Sequence, residues 1–374
     1  PGGTTRRDIL QLGLAGMGLS ALGPLTGMLP GARADVATQK FLVVIFLYGG
    51  QDGTNMVIPR TLGNYYSQRP NIAITPGNEL SLDSGPGATT TYGLHPKLAN
   101  MAVRYAAGEV ALVNLVGYPS ANLSHFTSQD IYSHGVRGEF AGLGVQESGW
   151  IARFADLYAP TSLGAVSVGV GRPLDLVGGS SNPLLVDGLS RFKFDIDYRY
   201  RNNHAHRLEA IRDLLDGYST TGVTSEVAEA LGQGHELADQ IQAAVEAYVP
   251  APLATYQDSN GQTHSIHRFL RDIATLVNYG FETQVFYTGF GGFDTHSNQG
   301  AEDGRHGDLL DRLDTALESF AQDMDTRGVW ENTTIVIASE FGRRNFENGS
   351  FGTDHGGAAP FVVMGGAVNG GTYG

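Results

Sequence analysis

Five short polar clusters in this sequence carry residue types that could do chemistry, and each lies beside an apolar run or among glycines. The first is Gly49-Gly50-Gln51-Asp52-Gly53-Thr54-Asn55. Its glycines let the backbone approach a ligand closely, and Asp52 could either bind a cation or cap a tight turn. The second runs from Ser120 through Ser124, His125 and Thr127 to His134. Hydroxyls at the start of a helix serve as nucleophiles helped by the helix dipole, or simply as N-caps. The third, Gly292-Phe293-Asp294-Thr295-His296, places an acid and an imidazole two residues apart, so that both can turn toward one metal. A metal-free Asp–His hydrogen bond is the other outcome. The fourth is Ser339-Glu340-Phe341-Gly342-Arg343-Arg344 and the fifth Thr353-Asp354-His355-Gly356. An arginine there could neutralise an anionic substrate or form a structural pair with Glu340.

The elements that must position these clusters are legible as apolar runs. Residues 41–47 read Phe-Leu-Val-Val-Ile-Phe-Leu, without alternation, as a strand buried on both faces does. Similar runs occur at 110–116, 284–288, 333–338 and 361–364. Between them, Leu309, Leu310, Leu313, Leu317, Phe320 and Met324 recur at three- and four-residue steps, one buried helix face. Residues 206–217, 223–248 and 264–279 also read as helical and suggest a helical insertion, whereas 60–93, rich in Pro, Gly, Thr and Ser, reads as a long surface loop. The expected fold is therefore α/β: a mostly parallel central sheet with helices on both faces. Sites in such sheets lie at the carboxyl ends of strands, where the clusters fall.

Composition narrows the chemistry. The formal charge of −14 makes nucleic acid a poor partner. With no cysteine, a thiol nucleophile, a disulfide framework and a thiolate-bound zinc are excluded, so any metal must use Asp, Glu and His. Near the start, Arg6-Arg7 precedes an apolar, Gly-rich run from Leu12 to Leu29 and then Ala32-Arg33-Ala34. That is the pattern of a twin-arginine signal peptide cleaved after Ala34. Its glycines and prolines argue against a membrane anchor. The expectation is a signal at 1–34, one domain over 35–374, engagement of the twin-arginine translocase during export, no stable membrane insertion afterwards, and a periplasmic or secreted location. The Pro1 start and Gly-rich end lead us to expect a trimmed chain.

The stretches FLVVIFLYGGQDGTNMVIP, LHPKL, LSHFTSQDIY, GWIARF, GGFDTHSNQ, ASEFGRRNFENGS and GTDHGG together resemble the bacterial family of unknown function numbered 1501, often exported by twin-arginine signals. That family is similar to the alkaline-phosphatase-like superfamily of phosphatases, sulfatases and phosphomutases. The resemblance implies two divalent metals, a hydroxyl or modified-cysteine nucleophile, and hydrolysis of phosphate or sulfate esters. It implies Asp52, Asp294, His296, Glu340 and His355 as ligands of a divalent metal (zinc, magnesium, calcium or manganese). Ser120, Ser124 and Glu340 are then the catalytic candidates, and Asn55, His125 and Arg343 the substrate contacts. Two positions depart from the pattern: Phe341 cannot ligate, and Ala121 stands where the nucleophile is expected. Two functions follow, an exported metal-dependent hydrolase of phosphate or sulfate esters, small or polysaccharide, or a non-catalytic binding or assembly protein on the same fold.

Overall fold

A computed structural model describes residues 36–135, 148–161, 163–180, 183–193, 206, 209, 210, 213 and 223–374. The signal peptide expected at 1–34 and most of the helix expected at 206–217 lie outside the described residues. The central sheet is built from β1 (Phe41–Tyr48), β5 (Val110–Gly117), β6 (Ala165–Val168), β7 (Leu184–Val186), β8 (Val285–Gly291), β9 (Thr333–Ala338), β12 (Ala358–Met364) and β13 (Gly371–Tyr373), while β10 (Gly342–Arg343) and β11 (His355–Gly356) form a separate two-stranded pair. Their order is β13-β5-β12-β9-β1-β8-β6-β7. Within this sheet β12 alone runs against its neighbours, pairing antiparallel with both β5 and β9. The fold is α/β with a mostly parallel sheet.

That single reversal brings the fifth cluster to the site. Chain entering a reversed strand stands at the same edge as chain leaving the parallel ones. Ala358, the first residue of β12, accordingly faces Gly117, the last of β5. Polar residues before β12 thus meet those after β1, β8 and β9.

The unbroken apolar run of β1 has a two-sided explanation. Val43, Ile45 and Leu47 face a core closed by α3 (Ala99–Ala106), α7 (Ser265–Tyr279) and α8 (Arg305–Thr326). Val44 and Phe46 face the opposite layer, closed by Ile151 and Ala155 of α5 (Trp150–Tyr158). The stripe read on α8 is buried along its whole length, from Leu309 to Met324. Each such side chain contributes roughly 1.5–3 kcal/mol by leaving water.

Two expectations need correction. The helix at 265–279 is no insertion: it packs on α8 and the sheet, with α6 (Val223–Ala247) against its outer side. Residues 60–93 are more than a surface loop. They hold α2 (Gly63–Gln68), β3 (Leu80–Leu82) and most of β4 (Thr89–Leu94), which form a small sheet with β2 (Val57–Ile58), following the single turn α1 (Gly53–Met56). Ile72 and Ile74 are fully buried beneath it. Polar composition concealed this because the stretch buries only a few apolar side chains.

Candidate metal centre

Four loops at the carboxyl edge converge. The turn after β1 carries Gly49 at φ +119°, and a Cβ there would stand 2.4 Å from the Asp294 backbone nitrogen. Only glycine lets these two loops touch. Gly50, at φ +70°, lies against the ring of Phe341.

Asp294, in the loop after β8, is the centre of the cluster and 45% exposed. Its Oδ1 lies 3.0 Å from His296 Nε2 and 3.2 Å from His355 Nε2, and it accepts a hydrogen bond from the Arg343 guanidinium. Its Oδ2 lies 3.6 Å from Nε2 of His125. Burial alone would raise the Asp294 carboxyl, but Arg343, His355 and His296 bring it below the ordinary aspartate value.

Each imidazole is oriented through its other nitrogen. His125, first residue of α4 (His125–His134), gives Nδ1–H to Glu340 Oε1 at 2.8 Å. His355 gives Nδ1–H to the Leu123 carbonyl at 2.7 Å, and His296 gives Nδ1–H to Asp354 Oδ1 at 3.3 Å. A carbonyl or carboxylate can only accept, so in the neutral ring each Nε2 keeps a lone pair. Three lone pairs then face one carboxylate, and the Nε2 atoms of His296 and His355 stand 3.0 Å apart. Such an arrangement needs a cation or a bound proton between them. Histidines tied at one nitrogen to an oxygen acceptor and open at the other are how proteins prepare metal ligands. The donor set, imidazole and carboxylate without sulfur, suits zinc or another divalent ion of borderline character. His125, Asp294 and His355 each offer a ligand atom within 4.8 Å of the others.

Phe341 forms the floor. It is buried, and its ring centroid lies 4.9 Å from that of His125 and 4.5 Å from that of His355. The residue that cannot ligate restrains two that can.

The sequence model of the family described as "Protein of unknown function (DUF1501)" matches residues 147–374, more than half of the chain. The chain belongs to that family. Among solved structures, it is similar to an alkaline phosphatase from the Antarctic bacterium TAB5, at 9% identity over 90% of this chain and 94% of that one, with a TM-score of 0.34. It is also similar to the lipoteichoic acid synthase LtaP from Listeria monocytogenes, at 9% identity over 93% of this chain and 72% of that one, TM-score 0.31. A Vibrio parahaemolyticus protein in the alkaline phosphatase superfamily gives 11% identity over 100% of this chain and 72% of that one, TM-score 0.33. No curated protein matches the sequence.

In this member of the family, the expected site residues separate into two groups. Asp294, His296 and His355 meet in the cluster, joined by His125, which had been expected to touch substrate. Asp52 does not stand free to ligate. It is wholly buried, with Arg69 NH1 2.6 Å from Oδ2, Arg69 NH2 3.0 Å from Oδ1, and Gln299 Nε2 2.6 Å from Oδ2. Burial would raise its carboxyl, but the Arg69 charge holds it low. Glu340 is likewise corrected from ligand or base to positioning residue. It is 0% exposed; Oε1 accepts from His125, Gly49 N and Gln129 Nε2, and Oε2 lies 3.0 Å from Ser339 Oγ.

Asn55 is no substrate contact, because its amide is buried and bonded to the Ile72 carbonyl, Tyr65 and Arg69. Arg343 is also spoken for, donating to the carbonyls of Gly50, Thr353, Gly49 and Phe293 besides Asp294. Ser124 stands at the N-cap of α4 with an exposed side chain, and Ser120 is exposed at φ +54°. Among the described residues no hydroxyl hydrogen-bonds to Asp294, His125, His296 or His355, so neither serine is placed as an activated nucleophile.

Sequence reasoning missed Arg69 and the orienting role of Asp354, whose carboxyl is lowered chiefly by the Asn348 hydrogen bond and then by His296. A buried aspartate behind a central strand needs a counter-charge, and Arg69, beside Ile72 and Ile74, was the available signal.

Proposed function

We propose that this protein is an exported, metal-dependent hydrolase of phosphate or sulfate esters, acting in the periplasm or outside the cell. The observation that carries the reading is the pair of Nε2 atoms, on His296 and His355, 3.0 Å apart against one carboxylate. The ester class comes from the sequence resemblance, and the export from Arg6-Arg7 and Ala32-Arg33-Ala34.

Asp294, His296, His355 and His125 would hold the ion. A divalent ion in such a set supplies Lewis acidity, polarising an ester oxygen and making a water more acidic. The chain's own groups account for the rest of the design. Glu340 holds His125 with Nε2 toward Asp294, and Arg343 keeps Asp294 in place and ionised. Arg344, 48% exposed and 3.9 Å from Asp354 Oδ2, is the cation available for the ester's anionic oxygens. With no described hydroxyl bonded to the cluster, we take water as the attacking group. It adds to phosphorus or sulfur as the bond to the ester oxygen breaks, and the leaving oxygen departs with a proton.

The test is elemental analysis of the exported protein, followed by hydrolysis of aryl phosphates and sulfates before and after chelation. One divalent ion per chain and a hydrolysis lost in Asp294→Ala are expected. A metal-free protein whose His296 and His355 titrate as an ordinary hydrogen-bonded pair would remove the reading.

A non-catalytic binding or assembly role is the second reading, and one observation favours it. With Asp52 and Glu340 both enclosed in buried hydrogen bonds, the ligand set implied by the resemblance is reduced. A metal-loaded protein inert toward every ester would then be expected.

A further inference from the structure

At the same edge of the sheet, over the ends of β6 and β8, lies a cavity of about 370 Å³. Its walls are part apolar, with Val170, Phe269, Phe290 and Leu309, and part polar, with Tyr48, His264 and Arg312. Phe290 and Leu309 are buried parts of the main core, and Phe269 packs against it, so the walls are held by the fold. The volume is in the range of small-molecule sites, which are mostly apolar with a few placed polar groups.

Arg312 is the unexplained member. It lies in the second turn of α8 and is half-buried. Among the described residues, none forms a hydrogen bond or ion pair with its guanidinium, although Asp308 sits one turn earlier on the same helix. The buried arginines among the described residues are all engaged: Arg69 with Asp52, Arg104 with Glu109, Glu318 and Asp325, and Arg343 with Asp294. His264, also on the cavity wall, is already tied to Asp258 at 2.8 Å. A guanidinium with no partner among the described residues, in the wall of a partly apolar cavity, is a counter-ion awaiting an anion.

We propose that this cavity binds the anionic end of a compact apolar molecule, a small aromatic or aliphatic carboxylate, phosphate or sulfate, with Arg312 as its counter-ion. The site is separate from the imidazole cluster, although the two are close along the chain. Tyr48 precedes Gly49, which touches Asp294, and Gly291, on the cavity side, ends the strand just before Gly292-Phe293-Asp294. A molecule held there would lie beside the metal centre without occupying it.

The test is calorimetric titration of the intact protein with hydrocinnamate and with its neutral amide. The acid should bind at least about tenfold more tightly than the amide, as a charge-assisted contact requires. Arg312→Gln should bring the acid down to the affinity of the amide. Val170→Trp, which fills the cavity, should weaken both by about tenfold or more. His296→Ala should leave all of these affinities unchanged, so a failure of the metal reading would not disturb them. Equal affinity of acid and amide, or discrimination that survives Arg312→Gln, would overturn the proposal. So would a loss of acid binding in His296→Ala, which would place the anion at the metal centre instead.

Discussion

Two aspartates at one sheet edge have opposite surroundings. Asp52, behind β1, is sealed from water and shared between Arg69 and Gln299. Asp294, behind β8, is nearly half exposed and faces three imidazoles. Arginine is a permanent cation with a fixed fork, so the pairing of Asp52 is part of the fold. Imidazole can give up its proton, so the pairing of Asp294 is exchangeable. One carboxylate has its cation built in, and the other is equipped to receive one.

Removing Arg69 gives the largest effect that sharpens this contrast. Arg69→Met leaves the Asp52 charge buried without a counter-charge, held only by Gln299, and also releases the carbonyls of Arg344 and Asn345. We expect a loss of about 3–5 kcal/mol in urea unfolding. Arg69→Met with Asp52→Asn should recover part of it. If Arg69→Met cost nothing, Asp52 would be an accessible ligand after all and the contrast would fail.

The next effect lies in the exposed region. Glu340→Gln keeps an acceptor for His125 Nδ1 but removes the charge. The fold should survive, while zinc affinity, measured by chelator competition, should fall about 10–100-fold. No change in affinity would detach His125 from the centre.

Acid separates the two regions again. His306 is fully buried beside the sealed pair, and burial pushes its imidazole down to about 3. Its folded value lies below the unfolded one, so the unfolded chain binds the extra proton as pH falls. The stability that His306 contributes is therefore complete above about pH 6.5 and declines toward pH 3, by about 1.4 kcal/mol per unit in between. Asp52 and Asp294 add to the loss at the bottom of that window, since lowered carboxyls contribute stability that vanishes as they protonate. Urea titrations from pH 7 to pH 4 should show the slope, and His306→Phe should flatten it. A slope unchanged in that variant would assign the acid sensitivity elsewhere.

What the sequence disclosed follows from where information is stored. The two-sided burial of β1 is written in seven consecutive apolar residues, and the α8 stripe in its spacing, so both could be read locally. β6, β7 and β13 have only three or four residues each, and their neighbours in the sheet define them. In the centre, Asp294 and His296 are close in sequence, and their meeting could be anticipated. The role of Glu340 could not, because its partner His125 lies 215 residues away and the bond depends on how α4 enters. Arg69 was concealed by a stretch whose composition suggests solvent. Phe341 read as a defect because ligation, and not the stacking of imidazoles, was the role considered for its position.

The smallest expected effect is the most diagnostic for chemistry. Ser124 caps α4 by position, yet its hydroxyl makes no capping bond. Ser124→Ala should thus cost less than the roughly 1 kcal/mol of an ordinary cap. It should leave metal content and ester hydrolysis unchanged, and so should Ser120→Ala. If either variant kept its metal but lost hydrolysis, a serine would be the nucleophile. Asp294 would then still receive the ion, but α4 would have to move on loading to bring that hydroxyl in. Unchanged hydrolysis in both leaves water as the attacking group and confines the exchangeable chemistry to the carboxylate and its three imidazoles.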